Sequence, residues 1–384
     1  MTATTAPSGS SGGNGGAPQS GLLTAGSWDD NLNFDFYQKY LANQGTTQLA
    51  GVPTASIANR MLVLVTDPGA QPVAGAHVSL SAGGVELART VTGADGRAVF
   101  FPTSNSTAVT FDLSAELGAV KQTVQAKGGD AMVTLPMGVA SGTVVGLDAA
   151  IVIDTTGSMG DEIRYLESEL INISTAVKER FPNVSQRWAF IAYRDYQDDY
   201  VTRPVDFSED VEAFRTSFDS LHAGGGGDYE EAPERGLADM NNLAWRDGAV
   251  ARVAFWVGDA PHHVARAPEM LTAFTGAKAR GIHLYPISAS GTDERLEYTM
   301  RLGAAMTGGR YLFLTDDSGI GGDHKEPSIP CYQVTTLQKA MQRMIQMELS
   351  GGHIDPLPTE VLRTSGNPQN GRCTLQSGQV VEVL

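Results

Sequence analysis

The stretch 148-DAAIVIDTTGSMGDEIRYLESEL-170 decides the fold of this chain. Its first part is an apolar run that ends in a carboxylate at Asp154. After TTGSM the pattern changes, and Ile163, Leu166, Leu170, Ile173 and Val177 recur at steps of three and four. That is a buried strand, a tight turn and an amphipathic helix from Asp161 to Phe181. Asp161 and Glu162 fall in the first turn of the helix and Lys178 and Arg180 in its last, which suits the helix dipole. The same unit recurs downstream. RWAFIAYR (187–194), RVAFWVGD (252–259), IHLYPIS (282–288) and RYLFLTD (310–316) read as further buried strands. Helical patterns lie near 209–221, 230–245, 267–280, 292–307 and 333–349. Continuous apolar strands alternating with helices predict an α/β domain over 148–350, a doubly wound and mostly parallel sheet covered on both faces.

Upstream the rhythm differs. Residues 1–27 carry no charged side chain and seven glycines, so they are expected to form a flexible tether. In 28–58 the order Trp28, Leu32, Phe36, Tyr40 predicts a short helix after a capping Ser27 or Asp29, docked on a domain surface. From 59 to 137 seven Val-, Thr- and Phe-rich runs alternate with clusters such as DPGAQP and GADGR, which predicts a smaller all-β sandwich. The stretch VTDPGAQPVAGAHVSLSAGG…ARTVTGADGRAVFFP resembles the carboxypeptidase regulatory-like, immunoglobulin-type modules of bacterial surface proteins, and that resemblance implies a spacer or docking module. Residues 138–147 read as a Gly/Ser hinge, and 351–384 as a polar tail.

Composition excludes several functions. With 27 basic and 43 acidic residues the formal charge is −16, the wrong sign for neutralising phosphates, so no nucleic-acid partner is expected. Of those, 30 acidic and 19 basic residues fall in 151–350, which concentrates the negative charge in the α/β domain. No apolar run is long enough for a transmembrane segment. Cys331 and Cys373 are too few for a disulfide framework or a four-thiolate zinc site, and sequence alone does not show whether they meet.

In an open α/β sheet, ligands gather beyond the carboxyl ends of the strands, where the strand order reverses. Two strands deliver an aspartate there, Asp154 and Asp259. The turn after Asp154 adds the hydroxyls of Thr156 and Ser158, and the loop HAGGGGDYEEAPE offers Asp228 behind four glycines. An all-oxygen set suits Mg²⁺ first, with Ca²⁺ or Mn²⁺ as alternatives, and argues against zinc or copper. Other side chains read as bystanders. His262 and His263 point apart as loop neighbours, Glu162, Glu167 and Glu169 form a solvated helix face, and Arg194, Asp195, Asp198 and Asp199 are loop or surface charges.

Asp154-Thr155-Thr156-Gly157-Ser158 resembles the DxSxS/DxTxS motif of the von Willebrand factor A domain, its metal-ion-dependent adhesion site, and the likeness runs from about Asp148 to Ser350. The resemblance implies a Rossmann-like fold and one divalent cation on Asp154, Thr156, Ser158 and Asp259. That family has a threonine in its second loop. This chain has none there, and Asp228 is the best match for its place, with Glu230 and Glu231 as alternatives. GGGGDYEEAPE with VGDAPHH, and the opening SWDDNLNFDFY, are similar to a bacterial subgroup whose members are often exported lipoproteins.

The function so implied is a binding module, not an enzyme: a protein partner meets the cation, in the family through an acidic side chain. An ionised Asp228 beside the ion would weaken capture of such a side chain. A phosphotransferase or hydrolase with Asp154 as nucleophile, or an envelope protein whose ion staples loops, are the alternatives. An exported, periplasmic or surface-tethered location is expected, with a signal sequence upstream of this Met1.

Overall fold

The computed structural model describes residues 21–47, 49–103 and 106–383, so most of the expected tether lies outside the described residues. Its last part is no tether. Thr24–Trp28 forms strand β1, fully buried in the largest sheet. The following turn is pinned: Asp30 pairs with the buried Arg301 at 2.7 and 2.9 Å and accepts a hydrogen bond from Trp28 Nε1 at 2.8 Å. Removing either partner would strand the other charge in the interior, at a cost of about 3–5 kcal/mol. Helix α1 (Phe34–Thr47) therefore starts later than the sequence suggests, because Trp28 is claimed by the sheet and Asp29 by the turn, where its carboxylate accepts from Leu32 N.

The seven β-rich runs are all strands: β2 (Met61–Thr66), β3 (His77–Ala82), β4 (Val85–Val91), β5 (Arg97–Phe100), β6 (Thr110–Leu117), β7 (Val120–Lys127) and β8 (Met132–Pro136). They make two sheets, ordered β5-β2-β8 and β4-β3-β6-β7. Alternate residues such as Val63, Val65, Val78, Leu80, Phe111 and Leu113 point inward to one shared core. Period two is what a half-solvated sheet requires.

The α/β part begins with β9 (Gly146–Asp154), inside the stretch expected as a hinge, and continues through α2 (Gly160–Arg180), β10 (Ser185–Tyr193), β11 (Thr202–Ser208), α3 (Val211–Asp219), α4 (Pro233–Asn241), β12 (Val250–Gly258), α5 (Ala267–Ala279), β13 (His283–Ser288), α6 (Glu294–Thr307), β14 (Tyr311–Leu314), β15 (Tyr332–Thr336) and α7 (Leu337–Ser350). Strand β15 occupies the start of a segment expected to be helical. Thr336 then caps α7 by accepting from Lys339 N. With Arg363–Ser365 as β16, the nine strands run β11-β10-β9-β12-β13-β14-β1-β15-β16. Five of them, β10 to β14 in that order, are mutually parallel, whereas β1 is antiparallel to both neighbours. Helices α2, α3 and α7 cover one face and α1, α4, α5 and α6 the other. Both faces of β9 are consequently buried, all nine residues of it.

The expected polar tail is part of this body. Arg363–Ser365 (β16) pairs with β15, and β17 (Arg372–Thr374) and β18 (Val380–Glu382) form a hairpin. Cys373 at the hairpin is disulfide-bonded to Cys331. Asn33 exchanges two hydrogen bonds with the backbone of Glu382 at 2.7 and 2.9 Å. The sandwich packs on the same body. Lys278, at the end of α5, lies over the rings of Phe100 and Phe101 at 5.2 and 4.8 Å.

Candidate metal centre

The chain leaves β9 toward β10 on one side and later adds β12 on the other, so strand order reverses between β9 and β12. Asp154 is the last residue of β9 and Asp259 follows the last of β12, which sets two aspartates beside each other at the switch point. Asp154 is completely buried. Its Oδ1 accepts from Thr156 N at 2.9 Å and from Thr156 Oγ1 at 2.6 Å, and Thr156 Oγ1 lies 3.4 Å from Ser158 Oγ. Ser158 in turn hydrogen-bonds Asp259. The four residues singled out in the first and third loops thus form one continuous chain of oxygens.

Burial, and then the charge of Asp259, raise the carboxyl of Asp154 well above the ordinary carboxylate range. Asp259 is raised by burial as well, with Glu162 adding to it. Asp154 Oδ2 and Asp259 Oδ1 are buried with no hydrogen-bond partner. An unpaired buried carboxylate oxygen is costly, and a bound cation is the remedy such a group takes in proteins. Among the described residues no three His, Cys, Asp or Glu side chains form a cation cage by themselves. What converges is a pair of carboxylates with two hydroxyls, and this hard-oxygen set fits Mg²⁺, Mn²⁺ or Ca²⁺.

Asp228, the best match for the family's threonine, stands at the same cavity as Ser158 and Asp259. Gly225 and Gly226 both have φ of +79°, and the turn they make leaves Asp228 exposed on the rim. The buried carboxylate of this loop is Glu231, whose N–H donates to Pro261 O at 2.9 Å and whose residue bridges to His262. A methyl group built on Gly226 would lie 3.3 Å from Glu231 Oε1 and 3.4 Å from Thr156 Cβ, so Glu231 and Thr156 flank the same glycine. Burial first, then the charges of Asp154, Asp195, Asp198 and Asp259, push Glu231 up to about 9, and its Oε2 has no partner.

Several presumed bystanders are also part of the construction. Glu162 is fully buried, because the start of α2 faces the loop after β13, where Ser290 donates to its Oε1. Glu169 is buried too, accepting from Gly21 N at 2.6 Å, while the side chain of Glu167 lies outside the described residues. Arg194 and Asp195 are buried. Arg194 Nε donates to Thr155 O at 3.1 Å, Asp195 bonds His263 Nε2 at 2.5 Å, and Asp198 accepts from Gly226 N at 3.0 Å. The two histidines do point apart. His262 is sealed inside and held down to about 4 by burial. His263 is also drawn down by burial, but Asp195 and Glu230 outweigh this and keep it above its ordinary value. A cavity of about 460 Å³ opens over Ser158 and Asp259, and Asp228, Tyr229, Glu231, Ser290 and Asp323 help to line it.

Comparison with known proteins agrees with this core. Residues 149–287 match the von Willebrand factor A domain family. Alpha-protein kinase vwkA of Dictyostelium discoideum is 28% identical over 140 residues, 36% of this chain and 22% of that protein. A putative ariadne-like RING finger protein of Acanthamoeba polyphaga mimivirus is 30% identical over 188 residues, 44% of this chain and 18% of that protein. The chain therefore spans only about a fifth of the length of these curated relatives. Among solved structures, conserved hypothetical protein BatB of Bacteroides thetaiotaomicron has 13% identity and a TM-score of 0.36, covering 53% of this chain and 98% of that one. An aerotolerance-related membrane protein of Bacteroides fragilis has 11% identity and a TM-score of 0.33, covering 54% and 100%. What this chain shares with the von Willebrand factor A domain family is thus the segment 149–287, which carries Asp154 and Asp259 at its switch point.

Proposed function

We propose that this protein is a cation-dependent protein-binding module, in which Asp154, Thr156, Ser158 and Asp259 hold one divalent ion, Mg²⁺ before Ca²⁺ or Mn²⁺, with Glu231 beside it. The observation that carries the reading is the pair of buried, partnerless carboxylate oxygens on Asp154 and Asp259, joined through the hydroxyls of Thr156 and Ser158. A divalent ion held by these residues would supply the counter-charge they need, next to the cavity. The chain's own residues fix that position. Thr156 orients Asp154, Ser158 orients Asp259, and the Gly-rich loop brings Glu231 against Thr156.

A binding role suits this arrangement better than turnover. Oδ1 of Asp154 is committed to Thr156, and His263 bonds Asp195 and Glu230 rather than a hydroxyl it could activate. No helix among the described residues is long and apolar enough to cross a membrane. The Cys331–Cys373 disulfide supports an exported, envelope-associated setting, since such bonds persist in oxidising compartments.

Isothermal titration of the chelator-treated protein with Mg²⁺, Mn²⁺ and Ca²⁺ tests the reading. Saturable binding of one equivalent, lost in Asp154→Ala and in Asp259→Ala, is expected. Absence of binding by wild type, or equal binding by Asp154→Ala, would overturn it.

A further inference from the structure

The cavity above the candidate ion has a chemistry that names its guest. Four carboxylates line it, those of Asp228, Glu231, Asp259 and Asp323, and among the described residues no basic side chain does. Glu231 and Asp259 are 3% and 5% exposed, and each has a carboxylate oxygen without a partner. The basic groups close by are already committed, since Arg295 pairs with Glu230 at 2.5 Å and His263 lies between Glu230 and Asp195. Tyr229, 45% exposed, stands at the same mouth. Its hydroxyl donates to Gly291 O at 2.8 Å, while Gly291 N–H donates to Asp323 O at 3.4 Å, so one residue ties the ring to the loop that carries Asp323.

From this lining we infer that the partner presents a basic side chain, a lysine or arginine, to the mouth of the cavity, and not the acidic group that an A domain's ion would attract by itself. The inference rests on the cation reading above. One divalent ion offsets the charges of the buried Asp154 and Asp259 and leaves those of the exposed Asp228 and Asp323 on the rim. A further carboxylate brought close to one of these aspartates is repelled by it. The same field attracts an ammonium or guanidinium. Asp228 and Asp323, both exposed, are free to receive it in water-accessible ion pairs, and the ring of Tyr229 offers its face. Ser158 and Asp259 would hold the ion, and the rim residues would read the partner's charge.

The test uses the full chain in about 0.15 M salt, where screening over about 8 Å suppresses diffuse attraction to an acidic protein. Mg²⁺ affinity is measured first, without peptide. Uncharged-ended peptides Gly-Lys-Gly, Gly-Arg-Gly, Gly-Asp-Gly and Gly-Gly-Gly are then titrated into the Mg²⁺-loaded protein. The Lys or Arg peptide should bind about tenfold or more tightly than the Asp peptide. The double variant Asp228→Asn/Asp323→Asn should lose that preference while Mg²⁺ affinity stays within about threefold of wild type. Tyr229→Ala should weaken the basic peptides about threefold, the size of an exposed cation–π contact. Glu116→Gln, on the far sandwich, should change nothing. Preferential binding of the Asp peptide, no preference at all, or an equal loss in Glu116→Gln each overturn the proposal. Basic-peptide binding by a protein that takes up no Mg²⁺ would sustain the rim reading and refute the cation reading instead.

Discussion

Glu231 shows how a single carboxylate sets the electrostatics of this site. It is nearly sealed from solvent and is raised to about 9 by burial and by four neighbouring aspartates. In the unfolded chain a glutamate titrates near 4.3. Between those two values the folded, ion-free protein binds more protons than the unfolded one, so stability falls as pH rises from about 4.3 to about 9. Glu231→Gln removes this contribution. Thermal denaturation in chelator should show the variant melting a few degrees above wild type at pH 8, with the difference vanishing near pH 4, and added Mg²⁺ should narrow it. A variant that melts lower at pH 8 would mean that Glu231 is stabilised by contacts other than those seen. Asp154 and Asp259 were legible in sequence because each ends an uninterrupted apolar run, and that position is physical, fixed by the sheet edge. Glu231 was not, since within DYEE only the turn at Gly225 and Gly226 decides which acid faces inward. Glu162 was misread for a related reason. Helical periodicity assigns faces relative to the sheet and is silent about a loop such as Ser290 folding over the helix end.

Strand β1 is the element that sequence reasoning could not find. TAGSW has no hydrophobic alternation, and its small residues look like linker. The slot decides its structure. Both backbone edges of β1 are paired, to β14 and to β15, and the Phe313 ring packs directly on Gly26. A Cβ at Gly26 would sit 2.3 Å from that ring, which is itself wedged edge-on against Tyr332. Gly26→Ala should therefore cost about 1–3 kcal/mol, the usual penalty of overpacking, read as a lower urea midpoint with unchanged slope. An unaltered midpoint would show that Phe313 swings away freely. The five parallel strands were readable because both of their faces are buried and their runs are continuously apolar. Strands β11, β15 and β16 are shorter or partly exposed, and their pattern carries little of that signal.

At the scale of the molecule, the sandwich and the α/β part are joined across Lys278. The residue is 8% exposed, and its amine lies over Phe100 and Phe101 and is held down to about 7 by burial. The unfolded chain keeps this proton up to about 10.4, so between the two values the unfolded state binds more protons and stability rises with pH. Lys278→Met keeps the packing and removes the charge. It should raise the melting temperature at pH 6 and lose that advantage as pH approaches 10, the opposite slope to Glu231→Gln. A variant that is less stable at pH 6 would show that the cation–ring contacts outweigh burial. The two-part organisation was legible from the switch of rhythm near Asp148. How the parts dock was not, because it depends on a lysine whose environment comes from residues almost 180 positions away.

The central claim is that one divalent ion sits where β9 and β12 diverge. Crystals grown with Mn²⁺ and measured at a wavelength where manganese scatters anomalously locate such an ion without assumptions. One strong anomalous peak is expected within about 2.0–2.6 Å of one or more oxygens of Ser158, Thr156, Asp154 and Asp259, the others being reached through waters bound to the ion. A peak elsewhere, or none in a fully ordered site, would contradict the account.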